Sequence, residues 1–465
     1  MMKLDIQNLV EQGKVAPATA PATEQVITRA YMDTDYADMF VARYDYAYSN
    51  GLGWLRWCGT HWQATGAPIA AAKVLAQELY ADIGTYARDI IDKEKLRAAC
   101  SWITAANRTR NIIAMLRLVQ DMTCIDDGKL DADPDLLNCA NGTLNLRSGA
   151  MQPHDKRDLI THYAPYIYSK QPICPNWLAF LEQIQPDDAM RRFLQQAFGL
   201  SMRGRFGDAY LFFAYGVGAN GKSTLLETVA RAFGSYSERV KSESLLDEYK
   251  QSGAATPELA RLRGKRLVIS GELPEGRYMN ESLVKDLTGG DTMTARMLHC
   301  NPITYKPAYQ LWMQGNHKPA IRGTDNGIWR RMILIPFETI LPHPDKDYAE
   351  THLMTELNGI FSWLANGWLV VARAGRLDIP QQCIDATQAY RTEQDTLGQF
   401  ITECLIIGSG SAVPSGVLYT RYKSYCDDNG LKPLSNKAIK QRLTERGYRC
   451  ERINAGMYWH NIALV

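Results

Sequence analysis

The sequence predicts an α/β fold, on three observations. Near the middle of the chain an apolar strand-like run, Tyr210 to Tyr215, meets a glycine-rich loop and then a helix-like stretch, Thr224 to Phe233. Downstream, short apolar runs that end in polar residues recur before Glu272, before Asn316 and over Met332 to Phe337, the pattern of buried strands. Before and after this region, apolar residues fall at helical spacing, over 71–122 and again from Leu353 to Ala374. At 465 residues the chain exceeds a single core, which rarely grows past about 250–300 residues, so several domains are expected.

Bulk chemistry narrows the classes. The net charge of +2 argues against a globally basic nucleic-acid coat and leaves any such binding to local patches. The ten cysteines show no Cys-x-x-Cys and no paired Cys/His spacing, which argues against a zinc site or a disulfide framework and for reduced thiols. No signal peptide or membrane span is visible, so a cytoplasmic protein is expected, without a membrane partner.

Taken in order, residues 1–28 contain the small, proline-interrupted stretch Val15 to Thr23 and read as a flexible lead-in. Asp33-x-Asp35 reads as a solvated helix start. From Gly53 to Trp62 apolar and polar residues alternate around a Gly-Thr turn, predicting a β-hairpin. Its tryptophans Trp54, Trp57 and Trp62 are read as core, base stacking being the alternative. Residues 71–122 predict a helical bundle. Leu136 to Leu146 switches to strands around the turn signal Asn141-Gly142. Pro172 to Pro175 marks a boundary, and Trp177 to Phe198 reads as helices leading into the central strand.

The central loop fits the Walker A spacing: Gly216, four residues, then Gly221-Lys222-Ser223. Gly216, Gly218, Ala219, Asn220, Gly221, Lys222, Ser223 and Thr224 therefore form the candidate nucleotide loop. Backbone N–H groups would close around phosphate oxygens, Lys222 would carry a point charge to them, and the Ser223 hydroxyl would ligate Mg²⁺. Hydrolysis also needs an acid, a polar group at the γ-phosphate and a cation. Glu272, at the end of a short apolar strand, is the candidate base and second Mg²⁺ ligand. Asn316 ends the next strand and is the candidate sensor. Arg330 and Arg331 precede another strand, where an oligomer could present one of them to a neighbour's nucleotide.

Between Glu272 and Asn316, Thr292 to Pro307 predicts a hairpin. Arg296, His299, Asn301 and Lys306 are its candidate phosphate contacts, a wet surface hairpin being the alternative. Phe361 to Val371 predicts a helical subdomain whose tryptophans are core. Gly408 to Pro414 reads as a break. After it, Val417–Asn429 and Ser435–Arg446 predict two helices, followed by a strand-turn-strand, a winged-helix pattern. Ser435 is a candidate cap, and Lys437, Lys440 and Arg442 are candidate DNA contacts, with protein docking as the other reading.

The stretch Gly216 to Phe337 resembles the superfamily 3 helicases of the AAA+ class, specifically the phage, plasmid and poxvirus-type primase-helicases. The residues that carry the resemblance are Asn220 to Thr224, Glu258 to Arg266, Ser270 to Glu272, Lys285 to Arg296, Gly315 to Pro319 and Trp329 to Phe337. The resemblance implies an α/β fold with an AAA+ P-loop ATPase core, an N-terminal mixed/helical domain and a C-terminal winged helix. It implies a homo-oligomer, a hexameric ring driven by ATP and Mg²⁺ along single-stranded DNA with 3′ to 5′ polarity, unwinding forked DNA in the replication of a phage or mobile element in a bacterial cytoplasm. It assigns Lys222 and Ser223 to phosphate and Mg²⁺, Glu272 to Walker B, Asn316 to the sensor, and Arg330 or Arg331 to an arginine finger acting in trans. In this superfamily the hairpin projects into the ring channel. One departure is Gly271 before the single acid, with Glu275 standing second. Another is that the chain is too short for an added primase domain, so a separate primase is an expected partner.

The domains expected are a lead-in (1–28), an N-terminal mixed α/β and helical domain (29–175), the ATPase core with its N-side helices (176–345), a helical subdomain (346–405) and a winged helix (406–465). The other readings are an origin-binding or loading ATPase that unwinds little, and an AAA+ switch in signalling or defence.

Overall fold

The structure, a computed structural model, describes residues 33–86, 93–204, 210–246, 256–272, 277–296, 302–321, 326–342, 347–454 and 456–465. The run Leu-Phe-Phe-Ala-Tyr has no face suited to water, and it forms the interior strand β1 (Leu211–Tyr215) of a five-stranded sheet. The others are β2 (Ser237–Val240), β3 (Leu267–Ser270), β4 (Gln310–Gly315) and β5 (Met332–Pro336). Every pairing is parallel, in the order β5-β1-β4-β3-β2. Such a sheet must be covered on both faces, and the period-2 alternation of side chains assigns them. Phe212 and Ala214 enter one core while Leu211 and Phe213 enter the other.

The first core is built by α1 (Pro175–Ile184), α2 (Asp188–Arg203), α3 (Lys222–Ala232) and, after α4 (Glu281–Gly289) on the opposite face, α5 (Leu357–Ala374). Trp312 of β4 stacks between Phe198 of α2 and Phe212 of β1, at centroid distances of 3.9 and 4.5 Å, and its indole N–H donates to Ser201 at 3.1 Å. α2 and α5 cross where neither carries a side chain. A Cβ on Gly199 would lie 2.2 Å from the Trp368 nitrogen, and one on Gly367 would lie 2.1 Å from the Gln195 carbonyl oxygen. Trp363 and Trp368 are buried in this core. Glu356, just before α5, accepts hydrogen bonds from the Asn176 and Trp177 amides, capping α1 from far along the chain.

The N-terminal part folds around the helices Asp33–Arg43, Ile69–Tyr86, Lys93–Ala106 and Thr109–Met122, beside a four-stranded sheet. In that sheet Gly53–Trp57 and Trp62–Thr65 pair antiparallel, with Trp57 opposite Trp62. Trp54 and Trp62 are buried, as core residues are. A second sheet, Leu136–Cys139, Gly142–Asn145 and Ala150–Gln152, packs differently from the domain division expected at 175. Its Leu137 and Leu144, with Leu146 just beyond, share the core of α2 and α5.

The C-terminal part runs helix (Thr396–Cys404), strand (Leu405–Pro414), helices (Ser415–Asp428 and Asn436–Glu445) and strands (Cys450–Ile453 and Gly456–Leu464). The last strand lies between the other two. Leu397, Phe400 and Ile401 belong to this core, so packing places the start of the module before residue 406. The stretch 408–414, expected to be a break, is strand. Gly408 and Gly410, at φ 80° and 72°, absorb an irregularity in register between Ile407 and Ala412 while the flanking residues stay paired. Ser435 accepts from the Ala438 amide, the cap expected of it. Among the described residues no helix is long and apolar enough to cross a membrane, and the cysteines are free.

Candidate active site

Three strand ends converge. β1 runs into the glycine-rich loop, the neighbouring β4 ends beside Asn316, and β3, beyond β4, runs through Gly271 to Glu272. Because all three strands are parallel and adjacent, their C-terminal ends open on one crevice, where ligands bind in sheets of this kind. Gly216, the last residue before the loop turns, lies so close to the chain after β5 that a Cβ would sit 2.2 Å from the Phe337 carbonyl oxygen. Ala219 and Gly221 have φ of 58° and 77°, the left-handed turns that fold the loop back over the start of α3. Asn220 fixes the loop by donating to the Phe337 carbonyl at 3.0 Å.

Lys222 is 4 % exposed. Its ammonium donates to the Gly216 carbonyl at 2.7 Å, to Asn220 Oδ1 at 2.8 Å and to Asn316 Oδ1 at 3.3 Å. Burial lowers its pKa from the ordinary lysine value, and the nearby Glu272 charge opposes that shift. Residues 218–224 of the loop and Glu272 border a cavity of about 650 Å³, together with Asn316 and an apolar wall that includes Phe180, Ile340, Leu341 and Tyr348, while Gly216 lies behind this lining. The Phe180 and Tyr348 rings lie 6.0 Å apart. Gln183 is a further polar group on this wall.

The cavity therefore joins a phosphate-sized cradle to a wall suited to a flat ring. A nucleotide fits that donor set: the oxygens now bonded to the Lys222 ammonium belong to the loop itself, and phosphate oxygens would take their place. Ser223 and Glu272 are exposed hard-oxygen groups on the same cavity, a donor set suited to Mg²⁺ shared with phosphates. Among the described residues no cluster of three or more His, Cys, Asp or Glu could hold a metal without a ligand's help.

Of the sequence-predicted residues, Gly218 to Ser223, Thr224, Glu272 and Asn316 line this cavity. Arg330 and Arg331 do not. Arg331 donates to the Gly327 carbonyl within its own chain, while Arg330 is exposed at the N-terminal end of β5, across the sheet from the loop. Lys222 is the one cation on the described lining. Sequence reasoning missed Phe180, Gln183 and Tyr348, which reach the site from α1 and from the segment before α5. No local pattern marks them.

The hairpin forms as expected from Met293–Arg296 and Pro302–Tyr305, with Arg296 opposite Pro302. Ala295, Ile303 and Tyr305 turn into the core, leaving Arg296 and Thr304 exposed. His299, Asn301 and Glu275 lie outside the described residues. Lys306 is exposed at the hairpin's root, and Lys285 lies 4.0 Å from Glu281. In the C-terminal module Lys437 and Lys440 are exposed and three residues apart, so they share a helix face. Arg442, half-buried, points about 140° away from Lys437 at 100° per residue and does not extend that face.

Three segments match family models: "D5 N terminal like" over residues 37–186, a "Family of unknown function (DUF5906)" over 214–331, and "Poxvirus D5 protein-like" over 392–458. The chain is 32 % identical over 212 residues to the provisionally named helicase L207/L206 of Acanthamoeba polyphaga mimivirus, covering 45 % of this chain and 22 % of that protein. It is 23 % identical over 454 residues to the provisionally named helicase 184R of Invertebrate iridescent virus 6, covering 80 % of this chain and 47 % of that protein. The chain thus spans less than half the length of the curated relatives it matches. Among solved structures, the apo NrS-1 C-terminal region (305–718) covers 68 % of this chain and 88 % of its own, at a TM-score of 0.41 and 10 % identity.

Proposed function

We propose that this chain is the ATP-driven DNA helicase portion of a D5-like primase-helicase of superfamily 3, hydrolysing ATP at the subunit interfaces of a homo-oligomeric, hexameric ring. The observation that carries the reading is the convergence of Lys222, Glu272 and Asn316 on one cavity that holds no arginine among its described lining. The sheet order supports an AAA+ core, since it sets the sensor strand between the loop strand and the acid strand. The D5-related matches before and after the core support the same family.

In this reading the loop amides and Lys222 hold the β and γ phosphates, and Phe180 and Tyr348 flank the base. Mg²⁺, held by Ser223 and Glu272, would supply charge neutralisation on the phosphates. Glu272 orients the attacking water and takes its proton. Asn316 touches Lys222, so a change at the phosphates reaches β4 and, through 306–309, the hairpin that precedes it. Arg330 of a neighbouring subunit supplies the arginine that the described lining lacks, with Arg331 serving the β5 turn. The hairpin, through Arg296, His299, Asn301 and Lys306, follows single-stranded DNA with 3′ to 5′ polarity. The C-terminal module is a winged helix that presents Lys437 and Lys440 to forked DNA, and a separate primase is a partner.

Unwinding of a forked duplex with ATP and Mg²⁺, compared between wild type and Lys222→Ala, tests the proposal. Strand separation by the wild type alone supports it. DNA-stimulated ATP hydrolysis without strand separation would point instead to a loading ATPase.

A further inference from the structure

A second cavity, of about 400 Å³, lies at the opposite edge of the sheet, beneath the N-terminal ends of β3 and β4. Most of its wall comes from three parts of the fold: the loop 127–134 of the N-terminal domain, the segment before β3, and the hairpin root 304–308, with Ile160, Arg203 and Tyr236 adding to it. The segment Arg261-Leu-Arg-Gly-Lys-Arg266 supplies four cations, and Gly264 divides them. Its φ of 71° turns the chain, and a Cβ there would lie 2.4 Å from His162 Nε2. Arg261 and Lys265 turn toward Glu238, at 3.9 and 3.6 Å. Arg263 and Arg266 line the cavity.

These two guanidiniums are held by neutral groups. Arg266 is 7 % exposed, donates to the Met202 and Leu136 carbonyls, and lies 4.8 Å from the centroid of the Tyr236 ring. Arg263 donates to the Asp127 carbonyl at 2.7 Å, and its Nη1 is buried without a hydrogen-bond partner among the described residues. The carboxylates on the cavity wall are engaged elsewhere. Asp127 accepts from Ser49 and from the Gly51 amide, Asp131 from the Thr161 amide and hydroxyl, and Asp133 from the Asp135 amide. Arg203, also on the wall, is paired with Asp135 at 2.7 Å. Burial pulls the Arg266 pKa down, with Tyr236 and Asp131 opposing through space. Asp131 and Asp133 act on Arg266 only through space, without a direct ion pair, so an anion bonded to the guanidinium itself would offset more of the cost of its burial.

The chemistry selects the anion. A guanidinium fork matches phosphate oxygens, and Lys306 on the rim adds a third cation. Leu130, Pro134 and Ile160 give the cavity an apolar side, and its volume falls in the range of about 300–1,000 Å³ that small-molecule sites occupy. We propose that this cavity is a second phosphate site, separate from the glycine-rich loop, that binds one nucleotide unit through Arg263, Arg266 and Lys306. The unit is either a free mononucleotide or the phosphorylated end of a DNA strand. Occupancy would tie the N-terminal domain to the root of the hairpin.

The test is calorimetric titration of the full chain carrying Lys222→Ala, which weakens phosphate binding at the glycine-rich loop. The probes are thymidine monophosphate and tetrathymidylate with and without a 5′-phosphate. The expected result is saturable binding of at least one phosphorylated probe, weakened about tenfold or more by Arg263→Gln, as the loss of one charge-assisted hydrogen bond requires. Arg263→Lys should bind with intermediate affinity. Saturation by the mononucleotide assigns a free nucleotide, and saturation by the 5′-phosphorylated oligonucleotide alone assigns a strand end. Should Arg263→Gln fail to fold, Lys306→Ala, an exposed change, carries the comparison, read on thymidine monophosphate and on the difference in affinity between tetrathymidylate with and without its 5′-phosphate, which contacts along the strand do not change. The proposal is overturned if neither phosphorylated probe saturates at millimolar concentration, or if the variant that folds binds as tightly as its parent.

Discussion

Replacing Gly221 with alanine probes how the glycine-rich loop is held. The residue sits at φ 77°, and an added Cβ would lie 2.4 Å from Ile184 Cγ2 and 3.3 Å from Phe180 Cζ. The left-handed conformation costs an alanine about 1–2 kcal/mol, and overpacking against α1 costs about 1–3 kcal/mol. The lower entropy of the unfolded alanine chain returns about 0.4–1 kcal/mol, leaving a net loss of about 1–5 kcal/mol. Because the chain has several cores, the assay is the calorimetric transition that ATP shifts, followed alongside nucleotide affinity. Ile184→Ala removes the obstructing methyl, so Gly221→Ala should cost about 1–3 kcal/mol less in that background, a coupling within the range found for touching residues. Nucleotide affinity should fall with Gly221→Ala, because Phe180 is also part of the cavity wall. Equal cost in both backgrounds, or no shift of the transition, would refute the packing argument.

Two further outcomes follow from the same geometry. Lys222→Ala should lower ATP hydrolysis about 10²- to 10³-fold, the usual loss for one preorganised donor, while stability changes by less than about 1 kcal/mol because no carboxylate within ion-pair distance is stranded. Phosphate release and a melting curve check both halves, and hydrolysis near the wild-type rate would remove Lys222 from the phosphates. For Asp135, burial on its own would raise the pKa, but hydrogen bonds from Arg203 and Arg147 outweigh it and hold the value below the ordinary one. A depressed carboxylate pKa stabilises the fold above the unfolded value of about 3.9 and loses that contribution as pH falls through the folded value. Asp135→Ala should therefore cost about 3 kcal/mol at pH 7 by stranding the mostly buried Arg203, and should flatten the acid side of the stability curve. Urea unfolding at pH 7 and below pH 4 reads this, and an unchanged curve would contradict it.

The glycine-rich-loop end of the cavity was legible in the sequence because its residues are local. Gly216, Lys222 and Ser223 lie on one loop, and Glu272 and Asn316 each follow an apolar run that has to be a buried strand. That these strands are neighbours, and so bring their ends to one cavity, was not legible, since pairing order leaves no mark on any single strand. The aromatic wall of Phe180 and Tyr348 was missed for the same reason. Their neighbours in sequence are ordinary amphipathic helix residues, and only the packing of α1 against residue 348 gives them a role. The helices of 69–122 and the C-terminal pair followed from periodicity. The stretch 408–414 did not, because Gly408 and Gly410 signal a break and a bulged strand alike, and the pairing partner that decides between them lies some fifty residues later. The sheet 136–152 was placed with the N-terminal domain by chain position, whereas its leucines pack on α2 and α5, a choice made by shape.

If the protein works as a ring, each cavity at the glycine-rich loop is completed by a neighbour. Lys222→Ala and Arg330→Ala chains, each inactive by itself, should regain ATP hydrolysis when mixed in equal amounts. Random assembly gives about one quarter of the interfaces an intact loop from one chain and an intact arginine from the next, as a head-to-tail interface allows. ATPase activity of the mixture is expected near that fraction of the wild-type rate. Two outcomes would contradict it: full activity in Arg330→Ala by itself, or no recovery in the mixture.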